Sequence, residues 1–157
     1  MFKGSKNLGP EKHAQEVMKI GGQLNAYTTH DATVYYEDVA ARNFDAILAL
    51  EAERFQYLEL SEKMLESERE VVKEERRMRT DNFPSGKLIE AFFAAAYKVH
   101  NYRWPVVGWM KDLNTINLND CQEFFATHYN PKNITVIVVG AIDHTTVFKR
   151  VKHHFGA

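Results

Sequence analysis

Glu68 and Glu75 stand seven residues apart in a stretch, Ser61 to Arg79, whose apolar residues Met64, Leu65, Val71, Val72 and Met78 recur at helical spacing. On a helix of that period both carboxylates project from the middle of the apolar stripe, one above the other. An inward carboxylate needs a partner, because burying it alone costs several kcal/mol or forces it to take up a proton. A metal ion, an arginine or a polar cleft would each serve. Glu62, Glu66, Glu70 and Glu74 fall outside the stripe and read as a solvated face paired with Lys73, Arg76 and Arg77. Glu51 meets the same test in its own helix, between Phe44 and Phe55, and the sequence leaves it open between a structural ion pair and a support for a ligand.

A second chemistry is suggested by Asn25, Ala26, Tyr27 and Thr28. These small or polar side chains on a strand would let an extended peptide lie against the backbone and pair with it as an added strand, although most such strands pair only within their own sheet. The seven histidines give less. His153 and His154 come late in a helix, where a solvated role is the default. His13 and His128 have helical neighbours and no spaced partner, and no pair has the H-x-x-E-H or H-E-x-x-H spacing of a zinc peptidase helix. Cys121 sits among apolar positions and reads as a buried small residue, not a nucleophile.

The elements that must position these residues follow from punctuation and period. Gly9 and Pro10 precede a short helix with Ala14, Val17 and Met18 that ends at Gly21 and Gly22. Residues 23–39 alternate as a β-hairpin with a polar break at His30 and Asp31. Asn43 caps a helix bearing Phe44, Ile47, Leu48, Phe55 and Leu58, and Ser61 caps the glutamate helix. Lys87 to His100 is apolar nearly all round and predicts a buried helix, followed by a loop with Trp104, Pro105, Gly108 and Trp109. Asn117 caps the helix of Cys121, Phe124 and Phe125; Ile134 to Val139 predicts a strand buried on both faces; Asp143 caps a last helix. The order predicts an α+β domain, residues 1–157, with helices packed on one face of a mainly antiparallel sheet that is incomplete at the N-terminus.

Composition limits the partners. The chain has 157 residues, 20 basic and 21 acidic side chains and one cysteine, so neither a disulfide framework nor a cysteine-rich zinc site is available. Interleaved charge argues against a nucleic-acid partner, and no apolar run approaches the roughly 20 residues of a membrane span.

Taken in order, Met1-Phe2-Lys3-Gly4-Ser5, Gly21-Gly22-Gln23-Leu24-Asn25-Ala26-Tyr27-Thr28, Thr33-Val34-Tyr35-Tyr36 and Glu68 to Arg77 resemble the pitrilysin or insulinase family of zinc metallopeptidases. His100 to Trp109 resembles its bacterial branch, with Asn101 where proline is usual. The resemblance implies that Glu75 is the distal zinc ligand, that Glu68 is a second acidic residue supporting catalysis, and that Asn25 to Thr28 form the edge strand on which peptide substrates add. It also implies zinc in the complete enzyme, a second homologous domain or subunit, and a bacterial periplasmic or cytoplasmic setting. The family's H-x-x-E-H helix would precede Met1, so this chain alone is expected to hold no catalytic zinc and to be inactive. Two other readings stand beside the peptidase: a non-catalytic peptide-binding or scaffold subunit of a peptidase complex, and an unrelated α+β binding domain. An incomplete sheet also leads us to expect association through its open edge.

Overall fold

A computed structural model describes residues 4–156. Met1, Phe2 and Lys3 of the first motif lie outside the described residues. The elements are α1 (Lys12–Lys19), β1 (Gln23–Thr28), β2 (Thr33–Asp38), α2 (Phe44–Gln56), α3 (Glu62–Arg76), α4 (Pro84–Ala96), α5 (Met110–Thr115), α6 (Leu118–His128) and α7 (His144–Phe155). The α+β class is as expected, with an antiparallel β1-β2 hairpin as the sheet among the described residues. Two compact units emerge, the first of Met1–Ala26, Tyr35–Glu59 and Gln122–Ala157, the second of Tyr27–Val34 and Leu60–Cys121.

In the first unit α2 packs against α7, and Tyr35 of β2 reaches Phe55 of α2 and Tyr129. Val17, Ile47, Leu48 and Ala52 are buried, and Phe55 carries the packing outward, with its ring centroid 5.9 Å from Tyr35, 5.9 Å from Tyr129 and 6.4 Å from Phe155. Gly22 allows this closeness, since a Cβ there would lie 2.6 Å from Val39 Cγ1 and 2.8 Å from Val17 Cγ1. Ser5 and Asn7 are tied to α2: Ser5 Oγ donates to Glu53 at 2.8 Å and Asn7 N at 3.0 Å.

In the second unit the hairpin tip meets α4. His30 stacks on Phe93 with centroids 5.8 Å apart, and Tyr102 donates to Asp31 at 2.6 Å. Leu113 is the buried apolar residue of this unit.

Caps are where local chemistry is decided by one or two side chains, and three of the four expected ones form. Ser61 accepts from Met64 N, Asp143 accepts from Thr146 N at 2.9 Å, and Asn117 and Asp120 cap each other reciprocally at 3.1 and 2.8 Å. Asn43 does not cap; its amide donates instead to Ile20 O at 3.1 Å, joining α2 to the end of α1.

Other expectations fail for reasons of context. Ile134 to Val139 forms no strand, and Ile137 and Val139 are 80% and 92% exposed. A strand exists only through a partner's backbone, and no strand among the described residues runs beside this segment. The helix expected over Lys87 to His100 is α4, ending at Ala96, and it is not buried: Leu88 and Phe92 are 70% and 63% exposed. An all-round apolar pattern reports burial only where neighbours cover every side, and here Phe93 and Tyr97 alone have aromatic partners besides Phe92. The glutamate helix stops at Arg76 and passes into a π-helical turn, Arg77–Asp81. Residues 110–115 are helical where a loop was expected to continue.

Candidate metal and peptide site

On α3 the seven-residue spacing keeps Glu68 and Glu75 two turns apart on one face, about 10 Å along the axis. Both are half-buried, and one carboxylate oxygen of Glu68 is withdrawn from solvent. The side chain of Glu75 is 40% exposed and forms an ion pair with Arg79, Nη1 to Oε1 2.9 Å. The remaining acids behave as a solvated face should, with Glu70 paired to Lys73 at 2.7 Å and Glu74 to Arg77 at 2.9 Å.

Arg76 does not belong to that face. It is 5% exposed, and its guanidinium donates twice to Glu90 of α4, at 2.6 and 3.0 Å, and once to Gly108 O at 2.8 Å, with Asp81 3.2 Å away. Next to it Gly86 lets α4 close on the π-helical turn, since a Cβ there would lie 2.5 Å from Arg79 O. The residue following Glu75 thus pins the end of α3 to α4 and to the loop at Gly108.

The hairpin register follows from its loop. Thr29 N donates to Ala32 O at 2.8 Å, and Thr28 Oγ1 lies 3.3 Å from Thr33 Oγ1, so Thr28 is opposite Thr33, Ala26 opposite Tyr35 and Leu24 opposite Glu37. Alternation then turns the N–H and C=O groups of Ala26 and Thr28 to the outer edge of β1, where no strand pairs among the described residues. Asn25 Oδ1 accepts from Ala26 N at 2.8 Å on that edge. Asn25, Tyr27 and Thr28 are exposed and Ala26 half-buried.

A cluster that the sequence flagged only at Glu51 occupies the first unit. His13 of α1, Glu37 of β2 and Glu51 and Arg54 of α2 are gathered under the hairpin. His13 Nε2 is 3.2 Å from Glu51 Oε1 and 3.8 Å from Glu37 Oε1. Arg54 donates to the other oxygen of Glu51, stands 3.8 Å from Glu37, and places its guanidinium carbon 4.4 Å from the Tyr35 ring centre. Tyr35 and Tyr129 hydroxyls are 2.8 Å apart. Burial would lower the His13 pKa, but bonds to Glu37 and Glu51 outweigh it and the pKa is raised. Burial, with Glu51 beside it, pushes the Glu37 carboxyl above its ordinary range. Burial acts the same way on Glu51, yet His13 and the Arg54 charge hold it below. The signal was present in the sequence: His13 and Val17 share one side of a helix, and Tyr35 and Glu37 share one face of a strand. The ligand atoms of His13, Glu37 and Glu51 lie within 4.8 Å of one another, but Arg54 already serves both carboxylates as counter-ion. Glu51 is therefore a structural ion-pair residue. Cys121 is half-buried, not fully buried, and burial pushes its thiol up, away from a reactive thiolate.

The family model described as Insulinase (Peptidase family M16) matches residues 1–108, and that described as Peptidase M16 inactive domain matches residues 115–157. The chain belongs to the M16 insulinase family. Among curated proteins it is 42% identical over 154 residues to the zinc protease PqqE of Helicobacter pylori, covering 98% of this chain and 35% of that protein. It is 28% identical over 155 residues to the mitochondrial-processing peptidase subunit beta of Mus musculus, covering 99% of this chain and 32% of that protein. The crystal structure of a protease from Helicobacter pylori superposes with a TM-score of 0.95 at 42% identity, covering 98% of this chain and 37% of that one. The chain spans about a third of the length of these relatives. Membership in M16 excludes the reading as an unrelated α+β binding domain.

Zinc is the metal this family implies. Of the carboxylates on α3, Glu75 is half-exposed and its partner, Arg79, is itself 76% exposed. No histidine pair here has the spacing to complete the set.

Proposed function

We propose that this chain supplies the acidic ligand and the peptide-accepting strand of a zinc metalloendopeptidase. The observation that carries the reading is the pair of half-buried carboxylates, Glu68 and Glu75, two turns apart on one helix of an M16 chain. In this role Glu75 holds zinc together with two histidines of an H-x-x-E-H segment. Glu68, one heptad earlier, adds a second carboxylate to the same face. Zinc in such a site supplies Lewis acidity and lowers the pKa of water. The outer edge of β1 orients the substrate: the N–H and C=O groups of Ala26 and Thr28 would pair with an extended peptide, with Asn25 Oδ1 giving up Ala26 N, while the exposed side chains of Asn25 and Tyr27 meet its neighbours. A second homologous domain or subunit would complete the cleft.

The alternative is a non-catalytic peptide-binding subunit.

Zinc content decides between them. A polypeptide carrying an H-x-x-E-H segment ahead of this chain is expected to retain about one equivalent after dialysis, and its Glu75→Gln variant to lose it. Zinc retained equally by that variant would remove Glu75 from the site, and no zinc in either would favour the non-catalytic subunit.

A further inference from the structure

We infer that His13, Glu37, Glu51 and Arg54 form a proton-dependent latch that seats the base of the hairpin, residues 23–26 and 35–38, on α1 and α2. Three elements meet in the cluster, each through one or two side chains: His13 from α1, Glu37 from β2, Glu51 and Arg54 from α2. The groups facing His13 are Glu37 and Glu51, with Arg54 beyond them; Tyr35 of β2 lies over Arg54 and reaches Tyr129 of α6.

Because Glu37 stands on the strand paired with β1, opposite Leu24, whatever holds Glu37 also holds β1. With a proton on His13, the histidine is a cation between two carboxylates whose side chains are 8% and 11% exposed. Without that proton, the charge-assisted bonds from α1 to β2 and α2 are lost, and the two carboxylates face each other with weaker screening. Buried like charges at this distance repel strongly. The raised pKa of His13 is what such a proton site should display. A proton suits the cluster better than a metal ion, because a divalent cation would have to share Glu51 with the Arg54 guanidinium.

The latch itself does not depend on the peptidase reading. Its consequence for substrate does: if the outer edge of β1 receives peptides, capture should weaken as pH rises. Amide hydrogen exchange on the 157-residue chain, corrected for intrinsic rates, tests both parts. Protection of residues 23–26 and 35–38 should fall at least about tenfold between pH 6 and pH 9. His13→Gln should show the high-pH behaviour throughout. Should that variant fail to fold, Glu37→Gln carries the test, since with one of the opposed carboxylates gone the protection of the hairpin should no longer depend on pH between 6 and 9. A flat profile in the wild type, or an unchanged pH dependence in Glu37→Gln, would overturn the latch. So would a gain of protection on adding Zn²⁺ alone that vanishes in His13→Gln, which would make the cluster a metal site. Repeating the exchange with an unstructured 12-residue peptide of alanine, threonine and lysine separates the two claims. Added protection at Ala26 that declines with pH supports the coupling. A peptide without effect at pH 6, where the latch is closed, would overturn the peptide-strand reading and leave the latch standing.

Discussion

The acids under the hairpin and the acids along α3 come from the same sequence signal, a glutamate inside an apolar stripe, and have different fates. Glu51 finds His13 and Arg54 within its own unit and is 8% exposed as a residue. Glu75 keeps a side chain 40% exposed and holds an exposed, exchangeable arginine. The first group consumes its charges internally; the second leaves a carboxylate free to change partners. That difference separates acids that build the fold from acids available for chemistry, and mutation can be used to press on it from either side.

The largest effect should come from Arg54, the cation shared by Glu37 and Glu51 and 2% exposed. Arg54→Met leaves two buried carboxylates to His13 and should cost about 3–5 kcal/mol in urea unfolding. A loss under about 1 kcal/mol would mean that the cluster does not hold the unit together.

Arg76→Met in the second unit should cost about 2 kcal/mol, less than Arg54 because Glu90 keeps 17% exposure and regains water when its partner goes. Equal losses at the two arginines would erase the contrast between a closed and a half-open network.

Stability should also depend on pH in a sense fixed by the shifts. The raised pKa of His13 gives stability that is complete below its unfolded value, near 6.5, and is lost as pH rises through the folded value. The raised Glu37 carboxyl acts in the same sense from the carboxylate range upward, whereas the lowered Glu51 contributes stability that disappears only under acid. The unfolding free energy measured in urea should therefore decline from pH 6 to pH 9, and a profile rising over that range would contradict the assignment.

The smallest effect is expected on α3. Glu75→Gln should change the urea unfolding free energy by no more than about 0.5 kcal/mol, because its ion pair with Arg79 is exposed.

Local chemistry in this chain was legible and shared context was not. Ser61, Asn117 and Asp143 could be read as caps because a cap needs only its own next turn. The hairpin was legible because alternation and the His30-Asp31 break are local too. Ile134 to Val139 and the outer side of α4 misled because their apolar residues describe surroundings that the described residues do not provide. Arg76 reads as a surface residue in the sequence because its partners, Glu90 and Gly108, are 14 and 32 positions away. His13 carries no signal of its own in the sequence for the same reason: its carboxylates come from two other elements. Family membership was reached from motifs in order, while the roles of Glu68, Glu75 and the β1 edge remain proposals built on the family and on geometry.

The most direct test sets Glu51→Gln beside Glu75→Gln in the 157-residue chain and compares their urea unfolding free energies at pH 7. The account requires Glu51→Gln to be the less stable by at least about 2 kcal/mol, with Glu75→Gln close to the wild type. Two variants of equal stability, or a larger loss at Glu75, would contradict it.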